Sequence, residues 1–191
     1  MGYSSLSSQA LSAPPYLFAF IIVLVTARAS DRLRTRSLFV CLHAFLGFLG
    51  YALIAIGGWL RWPNTVRYLC VYPAAAGFFS AITIIITWTM NNQESNAKKG
   101  TGMTILNIIG QCGPLLGTRL YPDSDGPFYI KGMSVCAIAM LLVLALSLLL
   151  RVVLILENKK TAASDKVDNR DMVELLAEGK DTNHQRFILM L

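Results

Sequence analysis

Long apolar stretches alternate with short polar ones along most of the chain. An α-helix of roughly 17 residues or more is long enough to cross the hydrocarbon core of a bilayer. Such helices are predicted over residues 11–28, 38–56, 66–89, 102–120 and 128–156. The pattern therefore predicts an all-α membrane protein in which residues 1–156 form a membrane domain with about five transmembrane helices.

The pattern changes after residue 156. Residues 157–191 lack long apolar runs and carry seven acidic and six basic side chains. We expect this segment to be a mostly disordered tail on the cytoplasmic side, with a short helix near residues 172–177.

The distribution of basic residues predicts the orientation of the helices. The segment 28–36, between the first two apolar stretches, contains four arginines and one aspartate, which favours a cytoplasmic location. The same orientation puts nine basic residues inside (Arg28, Arg32, Arg34, Arg36, Lys98, Lys99, Arg151, Lys159, Lys160) and four outside (Arg61, Arg67, Arg119, Lys131). The carboxyl terminus is therefore expected in the cytoplasm.

Composition supports the membrane interpretation and excludes some functions. The chain is 54% hydrophobic and 15% charged, whereas soluble proteins carry about 25% charged residues. The net charge of +6 comes from short loops between apolar runs, which argues against nucleic-acid binding. The sequence contains no catalytic, phosphate-binding or cofactor motif, so we expect no enzyme activity, no cofactor and no metal site. The cysteines are expected as buried thiols (Cys41, Cys70, Cys112, Cys136).

Polar residues in the fourth predicted span form a stripe. At 100° per residue, Thr104, Asn107, Gln111, Pro114 and Thr118 fall on one face of a helix. This face is expected either to line a substrate path or to form hydrogen bonds across helices. An adjacent stripe of small residues predicts close helix packing (Gly110, Gly113, Gly117).

The second and third predicted spans also have faces that differ from their apolar surroundings. In the third span a stripe offers hydrogen-bond donors and amide groups for a carboxylate ligand (Tyr72, Ser80, Thr83, Thr87, Asn91). The alternative is that Ser and Thr bond to the backbone of their own helix. In the second span His43, Gly47, Gly50 and Tyr51 share a face, and a lone His there favours packing over proton transfer.

Several segments resemble a known transporter family. Residues 30–36 (Ser-Asp-Arg-Leu-Arg-Thr-Arg) resemble the D-R-x-G-R-R signature of the major facilitator superfamily. Other segments resemble its fungal anion:cation symporters, the allantoate, nicotinate and vitamin permeases. These are residues 11–16, 88–92, 98–99, 110–114, 119–122, 151–158 and 186–187.

The resemblance implies part of a twelve-helix fold, namely the carboxyl-terminal half, with the amino-terminal half missing. It also implies proton-coupled symport of a small organic anion (a carboxylate, vitamin or ureide), in the lipid bilayer of the plasma membrane. Asp31, Arg32 and Arg36 would form a gating loop. The substrate-cavity candidates are Tyr72, Ser80, Thr83, Thr87, Asn91, Asn107 and Gln111. The alternative function is a non-transporting membrane interaction protein or an inactive fragment.

Overall fold

The computed structural model describes residues 5–33, 35–93 and 95–177, which are almost entirely helical. The helices are α1 (Ser5–Leu33), α2 (Arg36–Trp59), α3 (Asn64–Leu69), α4 (Val71–Asn91), α5 (Asn96–Leu120) and α6 (Ile130–Ala177), with a short 3-10 helix at Asp123–Asp125. No strand forms within these residues. The predicted all-α class is confirmed.

Four helical segments of the described chain are long and apolar enough to cross a membrane. They are Ser7–Leu33, Arg36–Trp59, Asn64–Asn91 and Ile130–Thr161. Helix α5 forms where the fourth span was predicted, but it is not among these four. Its sequence combines basic residues and several glycines with its apolar positions, which lowers its mean hydropathy.

Helix α1 begins before the position that the sequence predicts. Pro14 and Pro15 lie inside the helix, which begins at Ser5 rather than at residue 11. Because proline has no N–H, Pro15 leaves the Leu11 carbonyl without its usual donor four residues on. The Tyr68 hydroxyl donates to that carbonyl at 2.9 Å, so a contact from another helix replaces the missing hydrogen bond.

The basic segment predicted as a loop over residues 28–36 is mostly helical. Helix α1 continues to Leu33 and α2 begins at Arg36, so the connection is very short. Residues 28–33 contain no Gly or Pro, and Arg, Ala and Leu are good helix formers. The charged side chains are therefore held on helix ends.

The third and fourth predicted spans also differ in detail. The third is interrupted at Cys70, between α3 and α4, where Pro73 has no N–H to donate to the Leu69 carbonyl. The fourth starts at Asn96 rather than at residue 102. Ser95 caps it, because the Ser95 side chain accepts a hydrogen bond from the Lys98 N–H at 3.2 Å.

Helix α6 begins at Ile130, close to the predicted position, but does not end at residue 156. It continues to Ala177, although residues 157–191 were expected to be mostly disordered. Residues 157–177 contain no Gly or Pro and are rich in good helix formers such as Ala, Leu, Glu and Lys. Residues 178–191 lie outside the described part of the chain.

Helix α2 is at the centre of the packing and contacts both α4 and α6, while α1 packs against α4. Three clusters of buried side chains follow one another along α2. They comprise Val40, Ile84, Trp88 and Leu154; Ala44, Ala81 and Met140; and Ile54, Cys70 and Ala74. Helix α5 contacts α4 and α6. Within the part of the chain that the structure describes, every residue of α5 is exposed or only partly buried.

Glycines allow the backbones of α2 and α4 to approach closely. A Cβ added at Gly50 would lie 2.6 Å from the Ala74 Cα, and one added at Gly77 would lie 2.6 Å from the Gly47 Cα. Real Cβ atoms do not come so near other carbons, so these positions accept only glycine without movement of a helix. Gly47 and Gly50 lie on the α2 face singled out in the sequence, but their packing role was not assigned there.

The stripe to which close packing was assigned behaves differently. Apart from chain neighbours and the nearby backbone of α5 itself, no described atom lies within 4 Å of a Cβ built at Gly110, Gly113 or Gly117. Within the described residues these three glycines make no close helix contact, and their packing against another helix stays a prediction.

Candidate functional site

A cluster of polar side chains joins three helices at the end of the bundle where the basic residues lie. Arg36, the first residue of α2, donates a hydrogen bond to Asp31 Oδ1 in the last turn of α1 at 2.8 Å. The Asn91 amide, on the last residue of α4, is assigned the orientation in which its oxygen faces Arg36. That oxygen then accepts from Nη2, Nη1 and Nε of Arg36 at 2.8, 3.0 and 3.3 Å. We call Asp31, Arg36 and Asn91 the Arg36 cluster.

The environment of the Arg36 cluster decides which contact matters more. The Arg36 side chain is 11% exposed, whereas that of Asp31 is 65% exposed. An ion pair with so exposed a partner is weakened by solvent, while the contact with Asn91 lies deeper. Two of the three predicted gating residues thus meet, and Arg32 is exposed beside them with no hydrogen bond to a described residue.

A second polar contact lies inside the bundle. His43 Nε2 on α2 and Thr26 Oγ1 on α1 are 3.0 Å apart, and both residues are buried. His43 Nδ1 and the Ser80 hydroxyl are also buried, with no hydrogen-bond partner among the described residues. His43 therefore joins two helices, in agreement with the packing role that the sequence favoured.

The predicted polar stripe of α4 separates into three environments. Thr83 donates to the Phe79 carbonyl at 2.8 Å and Thr87 to the Thr83 carbonyl at 2.9 Å, so both satisfy their own helix. The Tyr72 hydroxyl is 3.3 Å from that of Tyr68. Ser80 is fully buried, and Asn91 belongs to the Arg36 cluster. The stripe is thus not a single surface within the described chain.

The polar stripe of α5 is exposed in the described part of the chain. Asn107 and Gln111 face away from the other described helices. Thr104 donates to the Gly100 carbonyl at 2.9 Å and Thr118 to the Leu115 carbonyl at 2.9 Å, both within α5. The two amide side chains of α5 are thus available to a ligand or another protein surface.

The structure also contains a cavity that the sequence did not reveal. It has a volume of about 490 Å³, and its lining comes from α1, α2, α3, α4 and α6 and includes three tyrosines. It is lined by Ser8, Leu11, Ser12, Pro15, Tyr16, Tyr51, Ile54, Tyr68, Val71, Ala74, Ala75, Phe78, Phe79 and Met133. We call it the tyrosine pocket. The proline pair at positions 14 and 15 was its only sequence signal, because it frees a carbonyl for Tyr68.

The end of the bundle opposite the Arg36 cluster is rich in aromatic contacts. The Arg67 guanidinium lies over the Phe128 ring, 4.7 Å from its centroid, and Nη2 donates to the Phe128 carbonyl at 3.5 Å. In the neighbouring loop the Tyr121 hydroxyl is 3.1 Å from the Cys136 sulfur. Burial, followed by this hydrogen bond, raises the pKa of Tyr121 above its usual value. These contacts hold the loop that precedes α6 against α3 and α6.

The four cysteines are free thiols, but they are not all buried. Cys41 and Cys70 are buried, Cys136 is half-buried beside Tyr121, and Cys112 is exposed on α5. The expectation of a buried thiol is therefore wrong for Cys112, because its side chain lies on the exposed surface of α5.

Comparison with known proteins identifies relatives over the whole chain. The chain is 26% identical to the MFS-type transporter cnsO of Penicillium expansum over 99% of its own length and 38% of the relative's length. It is 27% identical to the high-affinity nicotinic acid transporter of Saccharomyces cerevisiae over 71% of the chain and 24% of the relative. No protein-family model matches the chain, and no solved structure matches it significantly.

The names of these relatives and the apolar helices of the chain both indicate a membrane protein. The chain spans well under half the length of the relatives that it matches, and their names describe transporters rather than enzymes. Helices of sufficient length and hydropathy to cross a bilayer are present in the described residues. The chain is therefore an integral membrane protein related over its whole length to MFS-type transporters.

Proposed function

We propose that this chain forms part of a proton-coupled transporter for small organic anions. The main observation in its favour is that 71% of the chain can be aligned with a protein named as a nicotinic acid transporter, at 27% identity. Nicotinic acid is a carboxylic acid and is ionised near neutral pH. The substrates that fit the proposal are carboxylates, vitamins or ureides.

The Arg36 cluster suits a contact that breaks and re-forms during transport. Alternating access requires the helices at one end of a transporter to separate and close. The three members of the cluster come from α1, α2 and α4, so any movement between α4 and the α1–α2 connection changes its distances. We propose that the cluster stabilises one of the two access states.

The exposed face of α5 supplies the candidate wall of the substrate path. Asn107 and Gln111 can donate to an anion's oxygen atoms, and lipid offers such side chains no hydrogen-bond partners. We propose that this face meets a second helical bundle across an aqueous path. The second bundle belongs either to the same polypeptide or to another one.

The proposed orientation follows from the positive-inside rule. The end of the bundle with the Arg36 cluster lies on the cytoplasmic side, as does the carboxyl terminus. The plasma membrane is proposed from the resemblance to fungal permeases. For proton coupling, His43 is an ionisable side chain buried within the bundle, but its contact with Thr26 favours a structural role and a coupling group elsewhere.

Uptake of labelled nicotinate by yeast cells that lack their own nicotinate uptake tests the proposal. The chain is expressed alone and together with the part of the Penicillium relative that it does not match. We expect uptake driven by a pH gradient in the second case and little in the first. Absence of uptake of nicotinate and of other carboxylates by a correctly inserted pair would contradict the proposal.

Cysteine labelling tests the wall of the path independently of substrate identity. In a variant with Cys112→Ser, Asn107→Cys is compared with Ile108→Cys, which lies on the neighbouring apolar face. We expect a membrane-impermeant maleimide to label position 107 at least several-fold faster in the co-expressed pair. Equal protection of the two positions would remove Asn107 from the path.

A second candidate is a membrane interaction protein that does not transport. The observation in its favour is that α5 has no buried residue among the described residues, so this helix is available to another membrane protein. Stable co-purification with a full-length MFS relative, together with absence of uptake in every combination above, would favour this function.

A further inference from the structure

We infer that the end of α1 next to the Arg36 cluster binds the phosphate group of an anionic phospholipid. A recess of about 590 Å³ lies at this end and is lined by Arg28, Ala29, Asp31, Arg32 and Leu33. We call it the arginine recess. It shares no lining residue with the tyrosine pocket, and the inference does not depend on transport.

The position of the arginine recess along α1 is that of lipid headgroups. A helix rises about 1.5 Å per residue, so the 27 residues of Ser7–Leu33 span about 40 Å. The hydrocarbon core of a bilayer is only about 30 Å thick. When this segment is centred in the bilayer, Arg32 lies in the headgroup layer and Arg28 at its border, where lipid phosphates are found.

Both arginines face away from the helix bundle. Thr26 and Ser30 are buried, and each of them lies two residues before one of the arginines. A step of two residues leads to the opposite side of a helix. Arg28 and Arg32 are exposed, and because they are four residues apart they are neighbours on one face. Their side chains can therefore converge on one ligand from outside the bundle.

The charges of the arginine recess favour a phosphate. Neither Arg28 nor Arg32 forms an ion pair with a described residue, and Arg28 Nη1 only donates to the Leu24 carbonyl at 3.5 Å. The carboxylate of Asp31, which also lines the recess, accepts from Arg36 at 2.8 Å, and this pairing offsets its repulsion of an anion. The three arginines and the aspartate carry a net charge of +2. A guanidinium is a planar fork of N–H donors that fits phosphate oxygens in a bidentate manner.

An apolar surface beside the arginine recess favours a lipid over a soluble phosphate. Leu17, Ile21, Leu24 and Val25 lie along the same face of α1 as the arginines and are all exposed. Leu33 in the lining of the recess is also exposed. An acyl chain can cover this surface while the phosphate meets the two arginines, whereas inorganic phosphate gains only the second contact. Anionic lipids are also attracted to basic residues at the membrane surface.

Lipid retention in native mass spectrometry tests the inference with the full chain. The chain is prepared in mixed micelles with equal amounts of phosphatidylcholine and phosphatidylglycerol, which both contain a phosphodiester but differ in net charge. We expect preferential retention of phosphatidylglycerol. Arg28→Gln combined with Arg32→Gln should lower this preference about tenfold, with unchanged helicity by circular dichroism because both positions are exposed.

A matched control separates the arginine recess from overall charge. Lys159→Gln combined with Lys160→Gln removes the same charge from exposed positions of α6, and should change the preference less than about twofold. An equal loss in both double variants would overturn the inference. Arg28→Lys combined with Arg32→Lys keeps the charge but removes the planar forks, and should lower the preference several-fold. An unchanged preference in this variant would overturn bidentate recognition of the phosphate.

Two competitors separate the sources of the anion. Glycerol phosphate has the phosphate group without acyl chains, and we expect it not to displace bound phosphatidylglycerol at equal concentration. Displacement by it would identify a site for soluble phosphates and overturn the inference. Displacement by nicotinate would assign the arginine recess to the anion path and would also overturn it. Retention is measured without transport, so failure of the lipid site and failure of the proposed function are distinguishable.

Discussion

Arg36 at the start of α2 and Asn91 at the end of α4 are joined by hydrogen bonds of 2.8 and 3.0 Å to one side-chain oxygen. This contact fixes the end of α4 against the short connection between α1 and α2. The sequence predicts Arg36 in a gating loop and Asn91 in a substrate cavity. The structure brings the two residues together, so the end of α4 becomes part of the candidate gate.

Substitution of Asn91 should destabilise the chain more than substitution of Asp31. A hydrogen bond to a charged group contributes about 1.5–3 kcal/mol, and Asn91→Ala should cost an amount in this range. Asp31→Asn should cost less than about 1 kcal/mol, because an exposed ion pair contributes little. Unfolding in mixed detergent micelles, followed by tryptophan fluorescence, measures both. An equal or greater cost for Asp31→Asn would contradict the stronger role given to Asn91.

Alanine at Gly50 should be destabilising, whereas alanine at Gly110 should not. The new Cβ at position 50 would overlap Ala74, and overpacking of this kind costs about 1–3 kcal/mol. At Gly110 the Cβ meets no described atom of another helix within 4 Å, so the substitution should stabilise α5 by about 0.5–1 kcal/mol. Thermal unfolding of the two variants in the same detergent compares them. A similar loss of stability in both would show that Gly110 also packs against another helix.

The apolar stretches were sufficient to predict the order of the long helices, but α5 is not among the four described segments that are apolar enough to cross a membrane. The boundaries were less accurate. Pro14 and Pro15 usually end or kink a helix, yet both lie inside α1. Their place depends on a partner from another helix, such as Tyr68, and local sequence does not specify that partner.

The candidate site was harder to predict for a related reason. A helical wheel places Thr83 and Thr87 on the polar face of α4, and Asn107 on the polar face of α5. It does not show which group each side chain forms a hydrogen bond with. Thr83 and Thr87 satisfy carbonyls of α4, whereas Asn91 on the same helix reaches Arg36. The tyrosine pocket combines residues from α1, α2, α3, α4 and α6, and such a combination appears only after the helices are packed.

The role of Tyr68 should depend on Pro15. Tyr68→Phe removes the donor for the Leu11 carbonyl and should cost about 0.5–1.5 kcal/mol. In a Pro15→Ala background the residue at 15 regains an N–H that can bond this carbonyl within α1. Tyr68→Phe should then cost clearly less. A double-mutant cycle on unfolding free energies measures the difference, and an equal cost in both backgrounds would contradict the assigned hydrogen bond.

The contact between Thr26 and His43 should contribute measurably to the packing of α1 on α2. Interhelical hydrogen bonds in membrane proteins average about 0.6 kcal/mol and reach about 1.7 kcal/mol, and Thr26→Val should cost an amount in this range. Thr104→Val is the matched control, because Thr104 bonds only its own exposed helix, and it should change stability by less than about 0.5 kcal/mol.

A double variant separates the hydrogen bond from the packing of the two side chains. Thr26→Val combined with His43→Phe replaces both polar partners by apolar groups, and leaves neither one buried alone. Its destabilisation should therefore be smaller than the sum for the two single variants, as measured by unfolding in micelles. Strict additivity would mean that Thr26 and His43 do not interact. The free energy lost in Thr26→Val would then come from altered packing of α1.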